Sequence, residues 1–198
     1  MQKILAIDCD EVVANTIDSI FKFNGHTFNW LPIQRDDITT FFWHELPQFS
    51  ANPDYVKAYR DDFFSSPEAM HIAPLPWAKQ WVQALYDLWY DLKIVTSRRQ
   101  WMEQMTKDWV EQHFPGMFSD VVFWSATIHD HHLTNKADLM RYIGATCLVD
   151  DGLHNCLQVS AWGYETLLLD NPWNQTDQHI QGMKRVKDWQ EIVDHFNS

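Results

Sequence analysis

The sequence predicts an α/β protein: a doubly wound, mostly parallel Rossmann-like sheet with a small helical cap inserted after the first strand. Three observations carry this expectation. Five short apolar runs lack polar alternation, as strands covered on both faces do. Segments with helical periodicity separate them, the pattern of parallel strands joined by crossover helices. The alternation is broken once, over residues 15–75, where no run of the sheet type occurs.

The runs are Lys3 to Asp8, Leu92 to Thr96, Val121 to Trp124, Thr146 to Asp150 and Tyr164 to Leu169. Between them, Trp77, Trp81, Ala84, Leu85 and Leu88 share one helical face, as do Trp101, Met105 and Trp109, and later Trp189, Ile192, Val193 and Phe196. Within the interruption one helix is expected around Thr16 to Phe23. A second should follow Asn52-Pro53, with Asn52 as cap, Pro53 in the first turn, and Val56, Tyr59 and Phe63 as its buried face. Ala73-Pro74-Leu75-Pro76 punctuates the return. Residues 1–14 and 76–198 therefore read as the core, and 15–75 as the cap.

A chain of 198 residues with 45% apolar content is one domain with an insertion and has ample material for a core. Fifteen Lys and Arg against 27 Asp and Glu leave a net charge of −12, which argues against a general electrostatic grip on nucleic-acid polymers. An anionic substrate would need a metal or a few placed cations. Most of the 11 tryptophans lie at helical spacing, where burial is the expected role. Cys9, Cys147 and Cys156 lack metal-ligand spacing and read as free thiols of a reducing compartment. Ile4 to Ile7 is too short for a signal peptide, and no stretch approaches a membrane span, so a soluble cytoplasmic protein is expected.

Chemistry concentrates at the exit of the first run. Asp8 and Asp10 are two residues apart, so on a strand they project from one face and reach one site. Like charges so close repel unless a cation lies between them or one keeps a proton. Both solutions suit phosphoryl chemistry, through a magnesium ion or an aspartyl nucleophile. A pair of exposed acids in an ordinary turn is the bland alternative. In open parallel sheets function gathers beyond the carboxyl ends of the strands. Read in order, those ends give Asp8/Asp10, Thr96-Ser97, a region reaching Lys136, and Asp150-Asp151. Alone, Thr96-Ser97 reads as a helix cap and Lys136 as a solvent-facing side chain; together they read as a site.

That ordered set resembles the four motifs of the haloacid dehalogenase-like phosphohydrolases over nearly the whole chain. Three stretches are similar to the 5'(3')-deoxyribonucleotidase branch: Pro67 to Pro76, Trp109-Val110-Glu111-Gln112-His113, and Asp170-Asn171-Pro172-Trp173-Asn174. Glu11 departs from the Gly commoner at that place, where Gly relaxes the backbone at a tight bend. The resemblance implies Asp8 as nucleophile forming an aspartyl-phosphate, and Asp10 as general acid and then base. It implies Mg2+ held by Asp8, the main-chain carbonyl of Asp10 and Asp151, with Asp150 behind them. Thr96, Ser97 and Lys136 would bind the phosphoryl group. The implied substrate is a small phosphate ester, a deoxyribonucleoside monophosphate, and family members are often dimers.

Other features read more weakly. Arg98 and Arg99 either neutralise an anionic substrate or lie on a solvated helix face. His129-Asp130-His131-His132 reads as a loop rather than a dedicated metal site, for want of a further spaced ligand. Phe41, Phe42 and Trp43 offer stacking faces for a base, although at least two of the three are expected in the cap core. Rival functions are a capped phosphatase for a sugar phosphate or another small ester, a phospho-receiver domain, and a binding protein without turnover. A receiver places its acceptor Asp mid-chain and its Lys last, unlike this order.

Overall fold

In the computed structural model, which describes residues 2–23, 33–49, 52–124, 127–128 and 131–197, the first apolar run forms β1 (Ile4–Ile7). The helices α1 (Thr16–Lys22) and α2 (Pro53–Ser65) follow, with short 3-10 turns around them. Then come α3 (Ala78–Asp87), β2 (Asp91–Thr96), α4 (Glu103–His113) and β3 (Phe118–Phe123). A small antiparallel pair, β4 (Thr127–Ile128) and β5 (His131–His132), precedes α5 (Lys136–Ile143). The chain ends with β6 (Cys147–Asp150), α6 (Leu153–Ala161), β7 (Glu165–Leu169), β8 (Met183–Val186) and α7 (Trp189–Phe196).

The sheet runs β3-β2-β1-β6-β7-β8, every neighbouring pair parallel. Strand order reverses between β1 and β6, which makes the gap beyond their carboxyl ends the expected place for a ligand. Strand side chains alternate between two apolar layers. Leu5 and Ile7 join the core that includes α3, α4, α7 and the residues of α1 and α2, whereas Ala6, Val95 and Leu148 join Leu139, Met140 and Val159 on the other face. The five runs read from sequence all appear as parallel strands.

The segment between β1 and α3 leaves and rejoins the core at one point. Asn15 N–H donates to the Ala73 carbonyl at 2.8 Å and Leu75 N–H to that of Val13 at 2.9 Å. Among the described residues of this segment every regular element is helical. Val56, Tyr59 and Phe63 are buried on α2, and the Tyr59 hydroxyl donates to the Phe23 carbonyl at 2.6 Å.

Several local expectations are corrected. Val121 marks the middle rather than the start of β3, which begins at Phe118, because the irregular register against β2 near Leu92 lets exposed polar residues join the ladder. β8 escapes the apolar-run criterion because Met183-Lys184-Arg185-Val186 is an edge strand with only Val186 buried. Pro53 does open α2, but Asn52 makes no side-chain cap bond. Among the described residues Trp77, Trp89, Trp101 and Trp162 are more than half exposed. Trp77 and Trp89 occupy left-handed turns at φ 68° and 63°, and Trp77 is thereby taken off the helical face that its spacing suggested. The histidine run beginning at His129 falls on side chains outside the described residues.

Trp189 shows how the last helix is tied to the first loop. It is 5% exposed, and its indole N–H donates to the Val12 carbonyl at 2.9 Å across 177 residues of sequence. Trp189→Phe leaves that buried acceptor unmatched, so a loss of about 1–3 kcal/mol is expected in denaturant unfolding. An unchanged midpoint would show that the bond contributes nothing.

Candidate active site

At the switch point the ends of β1 and β6 lie side by side, stitched by Asp8 N–H to the Val149 carbonyl at 2.9 Å. Carboxylate oxygens of Asp8, Asp150 and Asp151 all fall within 4.8 Å of one another, and all three residues are buried. Lys136 enters from the first turn of α5, whose start is capped by the Asn135 side chain accepting from Asp138 N–H at 2.9 Å. Its ammonium is 2.7 Å from Asp8 and 2.5 Å from Asp150, and is 2% exposed.

The three acids are not equivalent. Asp150 also accepts from the Gly152 N–H at 2.7 Å and from the Asn155 amide at 3.2 Å, so its oxygens are committed to the protein. Asp151 accepts the Trp173 indole N–H at 2.8 Å, and the Asn174 amide donates to its carbonyl at 2.8 Å. Asp8 has only Lys136 for support. Burial, helped by the charges of Asp150 and Asp10, pushes its pKa up from 3.8 to about 7 despite Lys136. Burial together with Asp150 and Asp8 likewise holds the Asp151 carboxyl well above the usual range. Hard oxygen donors that lack countercharge fit a divalent cation. Asp8 and Asp151 are the two with capacity for one.

Asp10 is tuned the other way. Arg98 grips both its oxygens, at 2.7 and 3.1 Å, and Thr16 donates to one of them. Burial alone would raise the carboxyl, but these contacts keep it below its usual value. Arg98 is thus no solvated helix residue: it is 4% exposed, lies over the Phe64 ring at 5.5 Å, and Asp10 keeps it cationic against burial. Arg99 is exposed and reaches Asp61 at 3.4 Å. Thr96 is fully buried, and its hydroxyl oxygen accepts from Arg98 N–H at 3.1 Å, which shapes the turn that presents Ser97. Ser97 lines the cleft.

Glu11 takes the left-handed backbone, φ 58°, that glycine adopts freely. Its buried carboxylate accepts from Ile17 N–H in the first turn of α1 and from Arg35, both at 2.7 Å. Arg35 also pairs with Asp18 at 2.9 Å and lies 5.5 Å over the Trp173 ring. A chain of contacts therefore links the loop after β1 to Asp151. Sequence spacing gave no signal for Arg35 or Asn155, whereas Trp173 and Asn174 belong to a stretch already singled out.

The cleft above these groups encloses about 460 Å³, within the range of small-ligand pockets. Phe41 and Phe42 line it beside His154, at ring distances of 4.5 and 5.5 Å. Trp43 is 6% exposed and stacks on Phe21 at 5.8 Å. Trp43 thus lies in the core and Phe41 packs against it, Phe42 is the exposed member, and all three border the cleft.

A family model described as 5' nucleotidase, deoxy (pyrimidine), cytosolic type C protein matches residues 2–196. No curated protein sequence matches significantly. Among solved structures, a haloacid dehalogenase-like hydrolase from Streptococcus pneumoniae is similar at 13% identity and TM-score 0.67, with 98% of each chain covered. The haloacid dehalogenase-type hydrolase YfnB from Bacillus subtilis, bound to magnesium, gives 13% and 0.68 over 100% of this chain and 99% of that one. CbbY from Rhodobacter sphaeroides, in complex with phosphate, gives 15% and 0.58 over 97% and 96%. The chain shares their fold.

The raised Asp8 carboxyl sets a pH dependence. Folded Asp8 keeps its proton until about pH 7, whereas an unfolded aspartate loses it near 3.8, so this group's contribution to stability falls as pH rises between those values. A divalent cation competes with that proton, and its stabilising effect should grow over the same window. Thermal unfolding at a fixed Mg2+ concentration is expected to show a larger rise in midpoint at about pH 8 than at about pH 5.5. Equal rises would show that no buried carboxyl gives up a proton on binding.

Proposed function

Because the chain belongs to the 5' nucleotidase, deoxy (pyrimidine), cytosolic type C family, we propose that it hydrolyses deoxyribonucleoside monophosphates as a magnesium-dependent phosphomonoesterase. Its fold and carboxylate cluster mark it as a hydrolase of the haloacid dehalogenase-like superfamily. The observation that carries the finer reading is the meeting of Asp8 and Asp151, backed by Lys136 and Asp150, at the floor of a cleft whose wall bears Phe41 and Phe42. In this reading residues 15–75 are the cap that selects the leaving group, and 1–14 with 76–198 are the catalytic core.

A magnesium ion held by Asp8, Asp151 and the Asp10 main-chain carbonyl would supply positive charge between the nucleophile and the phosphoryl oxygens. Asp8 attacks phosphorus in line, the ester P–O bond breaks, and Asp10 gives its proton to the departing alkoxide. Water then attacks the aspartyl-phosphate, Asp10 takes its proton, and phosphate leaves with Asp8 restored. The low pKa that Arg98 imposes on Asp10 suits the second step directly. For the first, a dianionic phosphoryl group arriving beside Asp10 raises its proton affinity by like-charge repulsion.

Lys136 holds the Asp8 carboxylate in position and faces the phosphoryl site beside it. Ser97 donates to a phosphoryl oxygen, with Thr96 behind it fixing the turn. Phe41, Phe42 and the neutral ring of His154, its pKa lowered by burial, form the shelf for a planar base. Trp43 backs that shelf from the cap core.

A second reading, a capped phosphatase for another small ester, is favoured by one observation: a cation facing the leaving-group side of the cleft, Arg60, makes no ion pair among the described residues.

Phosphate release from dUMP, dTMP and sugar phosphates, with and without Mg2+, separates these readings. Metal-dependent activity that prefers the nucleotides is expected, and Asp8→Asn should reduce it at least about a thousandfold with circular dichroism unchanged. Preference for the sugar phosphates would overturn the nucleotide assignment. Undiminished turnover in Asp8→Asn would overturn the mechanism.

A further inference from the structure

The cleft is lined by four Lys and Arg side chains, Lys57, Arg60, Arg98 and Arg99. Three are already matched. Arg98 is spent on Asp10, while Lys57 and Arg99 share Asp61 at 3.3 and 3.4 Å. Arg60, on α2, has no hydrogen-bonded or ion-paired carboxylate among the described residues. Its guanidinium is nonetheless placed, 5.8 Å over the ring of Trp43.

Its side chain is exposed to the cleft, so the charge is open to a ligand. Crowding by protein, then repulsion from Arg99 and Arg98, pulls the Arg60 pKa down against Asp10 and Asp61. Guanidinium groups that converge in a chain of net charge −12 form a local exception to its general sign. The position is specific too. Arg60 acts electrostatically on Asp10, the proposed acid that faces the leaving oxygen, whereas Asp8 answers chiefly to Lys136. Its seat over Trp43, on the same cleft wall as Phe41 and Phe42, puts the unmatched charge on the side proposed to hold the leaving group.

We propose that Arg60, flanked by Arg99 and Lys57, forms a second anion subsite on the leaving-group side of the cleft, so that the preferred ester carries a further phosphate or carboxylate. This rests on the phosphomonoesterase reading and departs from its nucleotide form, since the deoxynucleoside released from a monophosphate carries no second anion. Arg99 belongs to the loop after β2 and Arg60 to α2, so an anion seated between them ties the inserted helices to the core while the ester is bound.

Matched pairs of esters test this in the full-length chain. Deoxyuridine 3',5'-bisphosphate against dUMP probes a second phosphate, and 3-phosphoglycerate against glycerol 3-phosphate probes a carboxylate. At least one pair is expected to show a kcat/KM ratio of about tenfold or more in favour of the doubly anionic member. Which pair shows it identifies the anion. Arg60→Gln should bring that ratio close to one, and Arg60→Lys should retain part of it. No preference in either pair, or a ratio unchanged in Arg60→Gln, overturns the subsite. Equal loss on both members of a pair also overturns it, since Arg60 would then grip the transferred phosphoryl group. Calorimetric titration of Asp8→Asn and Asp8→Asn/Arg60→Gln with the same pairs reads binding without turnover. Absence of hydrolysis in the unsubstituted protein condemns the phosphatase reading, whereas loss of discrimination in that titration condemns the Arg60 subsite alone.

Discussion

Three buried carboxylates, two of them paired with one ammonium, are the constraint on which the rest of the site depends. Lys136 is 2% exposed and bridges Asp8 to Asp150, and removing either partner from such an arrangement would strand charge in a medium that solvates it poorly. The sheet order makes the meeting possible, because β1 and β6 are neighbours only where the winding reverses. Asp150 is then saturated by Lys136, Gly152 and Asn155, which leaves Asp8 and Asp151 short of positive charge. Such a shortfall suits a hard cation. It also explains why two adjacent acids, Asp150 and Asp151, serve different ends.

A second network joins the helical insertion to this centre. Glu11 sits in a left-handed turn, and its carboxylate receives both the first turn of α1 and the guanidinium of Arg35. Arg35 lies against Trp173, whose indole N–H fixes Asp151. Where glycine would offer conformational freedom alone, Glu11 adds a buried anchor that offsets the strain of its backbone. Burial raises its pKa, and Arg35 with the Ile17 N–H opposes the rise, so the anchor holds best as an anion. The orientation of Asp151 is thus coupled through packed, hydrogen-bonded groups to a residue of the insertion.

Much of the fold was legible because both faces of the sheet are covered: an apolar run such as Leu92 to Thr96 or Thr146 to Asp150 has few structural alternatives. The edge strand β8 was not, since Lys184 and Arg185 meet solvent and carry no apolar signal. Tryptophan spacing misled at Trp77, where a left-handed turn redirects the side chain and spacing alone cannot reveal it. The positions of the acids were readable from strand ends. Their inequality was not, because it depends on side chains such as Asn155, Trp173 and Arg98 that approach from separate elements. Arg98 shows the limit well: two arginines adjacent in sequence point one into a buried ion pair and one into solvent.

The pairing of Asp8 and Asp10 with different cations resolves the problem that their spacing poses. Two carboxylates on one strand face would normally share a single fate, with one forced to keep its proton. Here Arg98 and Thr16 draw Asp10 below the usual carboxylate range, while burial lifts Asp8 to about 7 although Lys136 is 2.7 Å away. In the proposed mechanism a divalent cation at Asp8 and Asp151 would lower the Asp8 proton affinity and free its oxygen as a nucleophile, a change that Asp10, as the proposed base, does not need. Division of labour between chemically identical residues then comes from the environment each meets after the strand ends. Asp8 faces the acid-rich gap at β6, and Asp10 faces the arginine of the β2 loop.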